Sequence, residues 1–275
     1  PMLGRIMVAV VGIPLLIVIL FFSPVIVLTV AFSALCAIAA YELLGATQAV
    51  HNRRLVVYAA LFSALVPLWY YFGCRIVGAV GGVFVLMLLL FGEAIASRQT
   101  MQVEEMAMTV FAALVVPSML SVFVLMADLE HARLYMFLPF VCAFTSDAFA
   151  LFAGMRFGKH KLAPHLSPKK TVEGSVGGFL GAALCCVLYG LFISKVLGHA
   201  PVYWMLALYG LLGSLVSQLG DLSFSYIKRQ YGIKDYGRLF REHGGVLDRF
   251  DSVTFCAPLT YLLLMIVPFF EYNTL

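Results

Sequence analysis

The sequence predicts an all-α, polytopic integral membrane protein with about nine transmembrane helices and a polar cavity facing the cytoplasm. Three observations predict it. Of 275 residues, 63% are hydrophobic and 12% charged, too few polar side chains to cover a water-soluble globule of this size. Apolar runs recur along the chain at the length a helix needs to cross a hydrocarbon core of about 30 Å. Charge is gathered into two loops, 154–173 and 225–252, and is sparse elsewhere.

The apolar runs cover 6–22, 24–44, 55–72, 75–92, 106–127, 134–153, 174–197, 202–224 and 253–270. Ser23-Pro24 separates the first two, because the residue before a proline avoids helical backbone. No small-residue cleavage site follows the first run, so it reads as an uncleaved helix behind Arg5. With nine spans, fifteen Lys/Arg fall on the side of the N-terminus and three (Arg75, Arg133, Lys195) on the other. That bias places the N-terminus and both basic loops in the cytoplasm. The net charge of +4 comes from those loops and is assigned to anionic ligands and membrane lipid headgroups, not to nucleic acid. Six cysteines show no C-x-x-C spacing and read as small hydrophobes, so neither zinc nor disulfides are indicated.

Residues 1–133 read as a helical scaffold, and 134–275 as the region that carries the chemistry. In the scaffold, Glu42 and Glu93 lie near the cytoplasmic ends of the second and fourth helices and read as polar helix ends. The sixth helix carries Asp147 inside an apolar run, where a carboxylate costs about 2.5–3.5 kcal/mol, so it faces the bundle interior or an aqueous cavity. Ser167-Pro168 in the first basic loop has the grammar of a helix start. Lys169, Lys170 and Thr171 would then occupy the first turn, where free backbone N–H groups favour a phosphate. The seventh helix has a stripe of small residues from Gly174 to Ala183, suited to close packing with a helix of this chain or of a second copy in a homodimer.

On the eighth helix Ser214, Ser217, Asp221, Ser225 and Lys228 follow three- and four-residue steps and share one face. From Ser225 to Asp251 the chain then packs ten of its 32 charged side chains into 27 residues. Gly232 and Gly237 read as turn residues, and Gly244-Gly245 as a pair able to turn backbone N–H groups toward an anion. Asp248 and Asp251 are three apart at the head of the ninth helix. Magnesium takes one or two carboxylates together with substrate phosphates. Asp221 with Asp248 is the first choice of ligands, with Asp251 and Asp147 completing or orienting the set, and the number of cations stays open at one or two. His243 is a candidate hydrogen-bond donor to a phosphate.

Ser225, Lys228-Arg229, Lys234-Asp235, Gly237, His243-Gly244-Gly245, Asp248-Arg249 and Asp251 resemble the signature of the phosphatidate cytidylyltransferase (CDP-diacylglycerol synthase) family. Gly220-Asp221-Leu222 and the earlier FGKHKLAPHLSPKKTVEG fit the same family, so the resemblance covers about residues 145–255; further upstream it rests on Tyr41-Glu42-Leu43 and hydropathy. Arg241-Glu242, Phe224, Tyr236 and the Ala148–Leu151 run depart from the family's usual residues. The resemblance implies transfer of the cytidylyl group of CTP to phosphatidic acid with magnesium. It further implies Asp221, Asp248, Lys228, Arg249 and His243 as catalytic groups. Ser167, Lys169, Lys170, Thr171, Ser225, Arg229, Lys234, Asp235, Gly244 and Gly245 are implied to bind substrate.

Two other readings are weighed against it. A transporter or channel for an anionic solute predicts charge spread evenly over both halves and related repeats, whereas 20 of the 32 charged side chains here lie in residues 134–275 and no repeat is seen. An inactive homologue is kept open by the departures.

Overall fold

A computed structural model describes residues 12, 14–96, 101–237 and 244–270. It divides into two compact units, one of residues 1–133 with 228–250 and the other of residues 134–227 with 251–275. Among the described residues, eight helices are long and apolar enough to cross a membrane, and they coincide with the second to ninth expected spans. The first expected span is described only in part and is helical over 14–21, here α1.

The first unit continues with α2 (Val25–Thr47), α3 (Arg53–Tyr71), α4 (Arg75–Ala96) and the broken helix α5 (Val103–Met126). Arg133 donates to the carbonyls of Leu20 and Ser23 at 2.7 and 2.5 Å, satisfying acceptors that the end of α1 leaves open. The Asn52 side chain caps α3 by accepting from Arg54 N–H at 3.0 Å. Glu93 on α4 accepts from Asn52, Arg54 and Tyr58 at 3.1–3.3 Å, which is the polar helix-end role read from its position. Pro117 has no N–H to donate, and α5 widens into a π turn over Phe111–Val115 just before it.

The second unit is built on α6 (Ala132–Phe157, counted from Leu134), α7 (Val172–Leu197), most of α8 (Tyr203–Gln230) and most of α9 (Leu247–Ile266). Between α6 and α7 lies a two-stranded antiparallel hairpin, β1 (Lys161–Ala163) and β2 (Ser167–Thr171), with Lys161 opposite Thr171. The expected helix start at Ser167-Pro168 is therefore a strand. The helix begins four residues later, where Thr171 in extended backbone accepts from Gly174 N–H at 3.1 Å. A hydroxyl followed by proline is as compatible with an edge strand as with a helix cap, and the pairing with β1 decides the outcome.

The glycine stripe of α7 finds its partner in α6 of the same unit. A Cβ added at Gly174 would lie 2.7 Å from the Ala150 carbonyl oxygen, and one at Gly178 would lie 2.9 Å from that of Ser146. Gly177 meets Ala153, and Gly181 meets the Phe149 ring. Small residues thus let the two backbones approach where lipid offers no hydrophobic drive to bring them together.

Candidate functional site

In the second unit, the cytoplasmic-side ends expected for α6 and α8, the hairpin and the start of α7 enclose a cavity of about 720 Å³. Its charged lining consists of Asp147 from α6, Lys161 from β1, Lys169 and Lys170 from β2, and Asp221 from α8. Glu173, in the first turn of α7, fixes the entry to the hairpin. Its carboxylate accepts from the backbone N–H of Lys159 at 3.0 Å and of His160 at 3.2 Å, and it meets His160 Nδ1 at 2.6 Å. His160 thus faces Glu173, and the lysines that reach the cavity come from the strands.

Ser175 and Gln218 line the cavity too, and belong to a neutral network that ties three helices together. Gln218 accepts from the Ser175 hydroxyl at 2.5 Å, and its amide donates toward Ser146 Oγ, Ser214 Oγ and the Ser175 carbonyl at 3.2–3.3 Å. Ser146 and Ser214 join each other at 2.7 Å. Both the oxygen and the nitrogen of the carboxamide are engaged, as a polar group among apolar helices requires. The face expected on α8 therefore divides. Ser214 joins this network, the buried Ser217 hydroxyl has no partner among the described residues, and Ser225 donates to Asp221 Oδ1 at 3.3 Å.

Asp221 forms an ion pair with Lys170 across the cavity wall. Asp251 is buried and receives Ser252 N–H at 2.7 Å, while the Ser252 hydroxyl lies 3.5 Å from Asp147 Oδ2, so one serine spans the two aspartates.

The first unit holds the other group of expected residues. Past the last turn of α8, Gly232 takes φ +65°, and the N–H groups of Gly232 and Ile233 return to the carbonyls of Arg229 and Lys228 at 3.1 and 2.9 Å. This is a Schellman ending, and it requires the left-handed backbone that glycine adopts without strain. Lys228 and Asp248 are both buried and pair at 2.9 Å. The Lys228 ammonium also lies 5.3 Å from the centre of the Tyr236 ring. Asp248 Oδ2 accepts from Tyr236 N–H at 2.8 Å and Gly245 N–H at 2.9 Å.

Gly244 has the positive φ expected of it, +77°, while the N–H of Gly245 is given to Asp248. Glu42 accepts from Leu247 N–H at 3.0 Å and packs against Gly237 and Gly245, where any side chain would collide with its carboxylate. Arg229, Lys234, Asp235 and Arg249 are exposed, and Arg229 donates to the Ile233 carbonyl at 3.2 Å. His243 lies outside the described residues, as do Arg241 and Glu242.

The structure thus gathers Lys169, Lys170, Thr171, Asp147 and Asp221 at one cavity, with Ser225 and Asp251 attached through Asp221 and Ser252. Lys228, Asp248, Gly244 and Gly245 form a separate set in the other unit, so the first-choice metal ligands Asp221 and Asp248 each have their own lysine. Among the described residues no three His, Cys, Asp or Glu side chains gather as a metal cage. Carboxylates in ones and twos beside lysines form a donor set that magnesium accepts when phosphate oxygens and water complete its octahedron, so the residues fit that ion.

Gln218 and Glu173 escaped the sequence reading, and Glu42 was read only as a polar helix end. Gln218 had a legible signal, since it stands four residues after Ser214 and three before Asp221. Nothing in the sequence marked the partner of Glu42, which is 205 residues away.

Residues 3–267 match the profile described as the Cytidylyltransferase family. Among curated proteins, the chain is 36% identical over 180 residues to the phosphatidate cytidylyltransferase of Bacillus subtilis, covering 65% of each chain. It is 41% identical over 131 residues to that of Staphylococcus epidermidis, covering 48% of this chain and 49% of the relative. It is 45% identical over 123 residues to that of Brucella abortus, covering 45% and 44%. The matched stretches thus span between about half and two thirds of these relatives' lengths.

Proposed function

This chain belongs to the cytidylyltransferase family, and on that premise we propose that it transfers the cytidylyl group of CTP to phosphatidic acid, giving CDP-diacylglycerol and pyrophosphate. The observation that carries this reading is the cavity in which Lys161, Lys169 and Lys170 meet Asp147 and Asp221 among apolar helices. Such a place suits a lipid whose phosphate must be held by cations while its acyl chains stay in hydrocarbon. With the basic loops on the cytoplasmic side of a bacterial inner membrane, soluble CTP reaches the same cavity.

An oxygen of the lipid phosphate bonds to the α-phosphorus of CTP, and the bond from that phosphorus to the β-bridging oxygen breaks. The bonding pair leaves with pyrophosphate. The attacking oxygen is already anionic near neutral pH, so the protein's task is to align two polyanions and neutralise the charge that collects on the leaving group. Lys161, Lys169 and Lys170 neutralise phosphate oxygens within the cavity, and Ser167 and Thr171 close the ends of the strand that carries two of them. Asp221 is the principal carboxylate for magnesium, with Asp147 and Asp251 in support. When bound, the ion supplies Lewis-acid neutralisation of the triphosphate.

In the other unit, Asp248 and Lys228 fix the backbone near Tyr236 and Gly245, which Arg229, Lys234, Asp235, Gly244 and Arg249 flank in sequence. Those residues and His243 are assigned to the nucleotide, with Asp248 as a further metal ligand.

The test is release of pyrophosphate by the purified full chain supplied with labelled CTP and phosphatidate, with and without magnesium. Asp221→Asn should lower the rate by about two orders of magnitude or more, the loss typical of a removed electrostatic stabiliser, while the protein stays folded in detergent. A near-normal rate in the variant, or a wild-type chain inert toward both substrates with magnesium present, would overturn the reading.

A further inference from the structure

Lys170 on β2 and Asp221 on α8 both line the cavity and are paired with each other, although each is expected to serve a different part of the substrate complex. We propose that Lys170 is a placeholder for the divalent cation at Asp221: its ammonium neutralises the carboxylate until a cation arrives, and is then released to the phosphate oxygens entering with it. The inference rests on the metal-dependent cytidylyl transfer proposed above and deepens it by coupling the two binding events.

Three features of the pair support this. Asp221 Oδ1 is held by Ser225 at 3.3 Å, so the carboxylate stays oriented whichever cation faces Oδ2. The backbone under Lys170 is fixed, because the next residue, Thr171, pairs with Lys161 and caps α7. Only the four-carbon stem has to move, and an ammonium is a point charge that can be redirected without geometric loss. The two side chains also retain 27% and 24% of their exposure, so the pair is partly hydrated, and such pairs are worth no more than about fivefold in an equilibrium constant. A divalent ion arriving with a triphosphate exceeds that. Lys161 and Lys169 line the same cavity and have no carboxylate partner in any described ion pair of that unit, so Lys170 is the lysine whose availability depends on the cation.

Binding of the cation and of the nucleotide should therefore strengthen each other by more than their direct contact accounts for, and by the same factor in either order. The test measures Mn²⁺, as a spectroscopic substitute for magnesium, by electron paramagnetic resonance titration of the full chain in detergent. CTP is absent or present, and phosphatidate is omitted so that no turnover occurs. Without CTP, Lys170→Met should bind Mn²⁺ about two- to fivefold more tightly than the wild type, and CTP should then enhance Mn²⁺ binding less. Lys170→Arg, which keeps the charge, should stay with the wild type. Should Lys170→Met fail to elute as a single species, Lys170→Gln takes its place.

Equal or weaker Mn²⁺ binding in the neutral variant overturns the placeholder role. Asp221→Asn separates the two levels. If it abolishes Mn²⁺ binding while Lys170→Met matches the wild type, the placeholder alone fails. If it leaves Mn²⁺ binding intact, the metal role of Asp221 fails and the placeholder falls with it.

Discussion

Glu42 and Asp248 hold one stretch of backbone from two directions. Glu42 takes the N–H of Leu247, and Asp248 takes those of Tyr236 and Gly245. Both are buried, so removing either leaves donors without partners where water does not reach. Glu42→Ala should cost about 1–3 kcal/mol, the penalty of an unsatisfied buried donor, seen as a lower unfolding temperature in detergent. Glu42→Gln keeps an acceptor and should lose less. Equal loss in both variants would show that carboxylate charge, not the accepted hydrogen bond, is what matters. Removal of Asp248 also strands a buried lysine, so lost activity in an Asp248 variant does not by itself identify a metal ligand, and Asp221 is the cleaner position to test. The sequence made the aspartates visible because carboxylates are rare in so apolar a chain. It left Glu42 looking like an ordinary helix end, since nothing local marks a residue whose partner is brought to it only by folding.

At the scale of the element, apolar runs bounded by proline, glycine and charge were enough to locate the helices within a few residues. The 24–44 run became Val25–Thr47, and the 202–224 run grew to Tyr203–Gln230 because its polar last turns are helical as well. The hairpin was not legible, because strand pairing is a relation between two short segments and neither carries an alternating pattern. The glycine stripe of α7 was visible, but its partner was not, since close packing against α6 and against a second copy call for the same small residues. That packing can be tested by one methyl group. Gly178→Ala places a Cβ 2.8 Å from the Gln218 amide and 2.9 Å from the Ser146 carbonyl, and should cost about 1–3 kcal/mol of stability while loosening the Gln218 network at the cavity. Gly92→Ala, with nothing within 4 Å, should be neutral or should gain up to about 1 kcal/mol from helix propensity. Similar unfolding temperatures for both variants would mean that α7 does not depend on this contact.

At the scale of the molecule in its membrane, the cavity is useful only if it opens on the side that holds CTP, and the chain's own geometry makes that testable. α7 has 26 residues, about 39 Å at 1.5 Å per residue, which exceeds the roughly 30 Å hydrocarbon core. The hairpin before it and the Gly198–Val202 segment after it must then emerge on opposite faces. The distribution of Lys and Arg assigns the hairpin to the cytoplasm, because a lysine carried across an energised membrane works against the potential. In a Cys74→Ser background, which removes the exposed native thiol, Lys169→Cys should react with a membrane-impermeant maleimide only in inverted vesicles. His199→Cys should react only in intact spheroplasts. The reversed pattern would put the lysine-lined cavity on the side without CTP and would defeat the proposed activity however well the residues fit. Labelling of both positions from one side would instead mean that α7 does not span the bilayer.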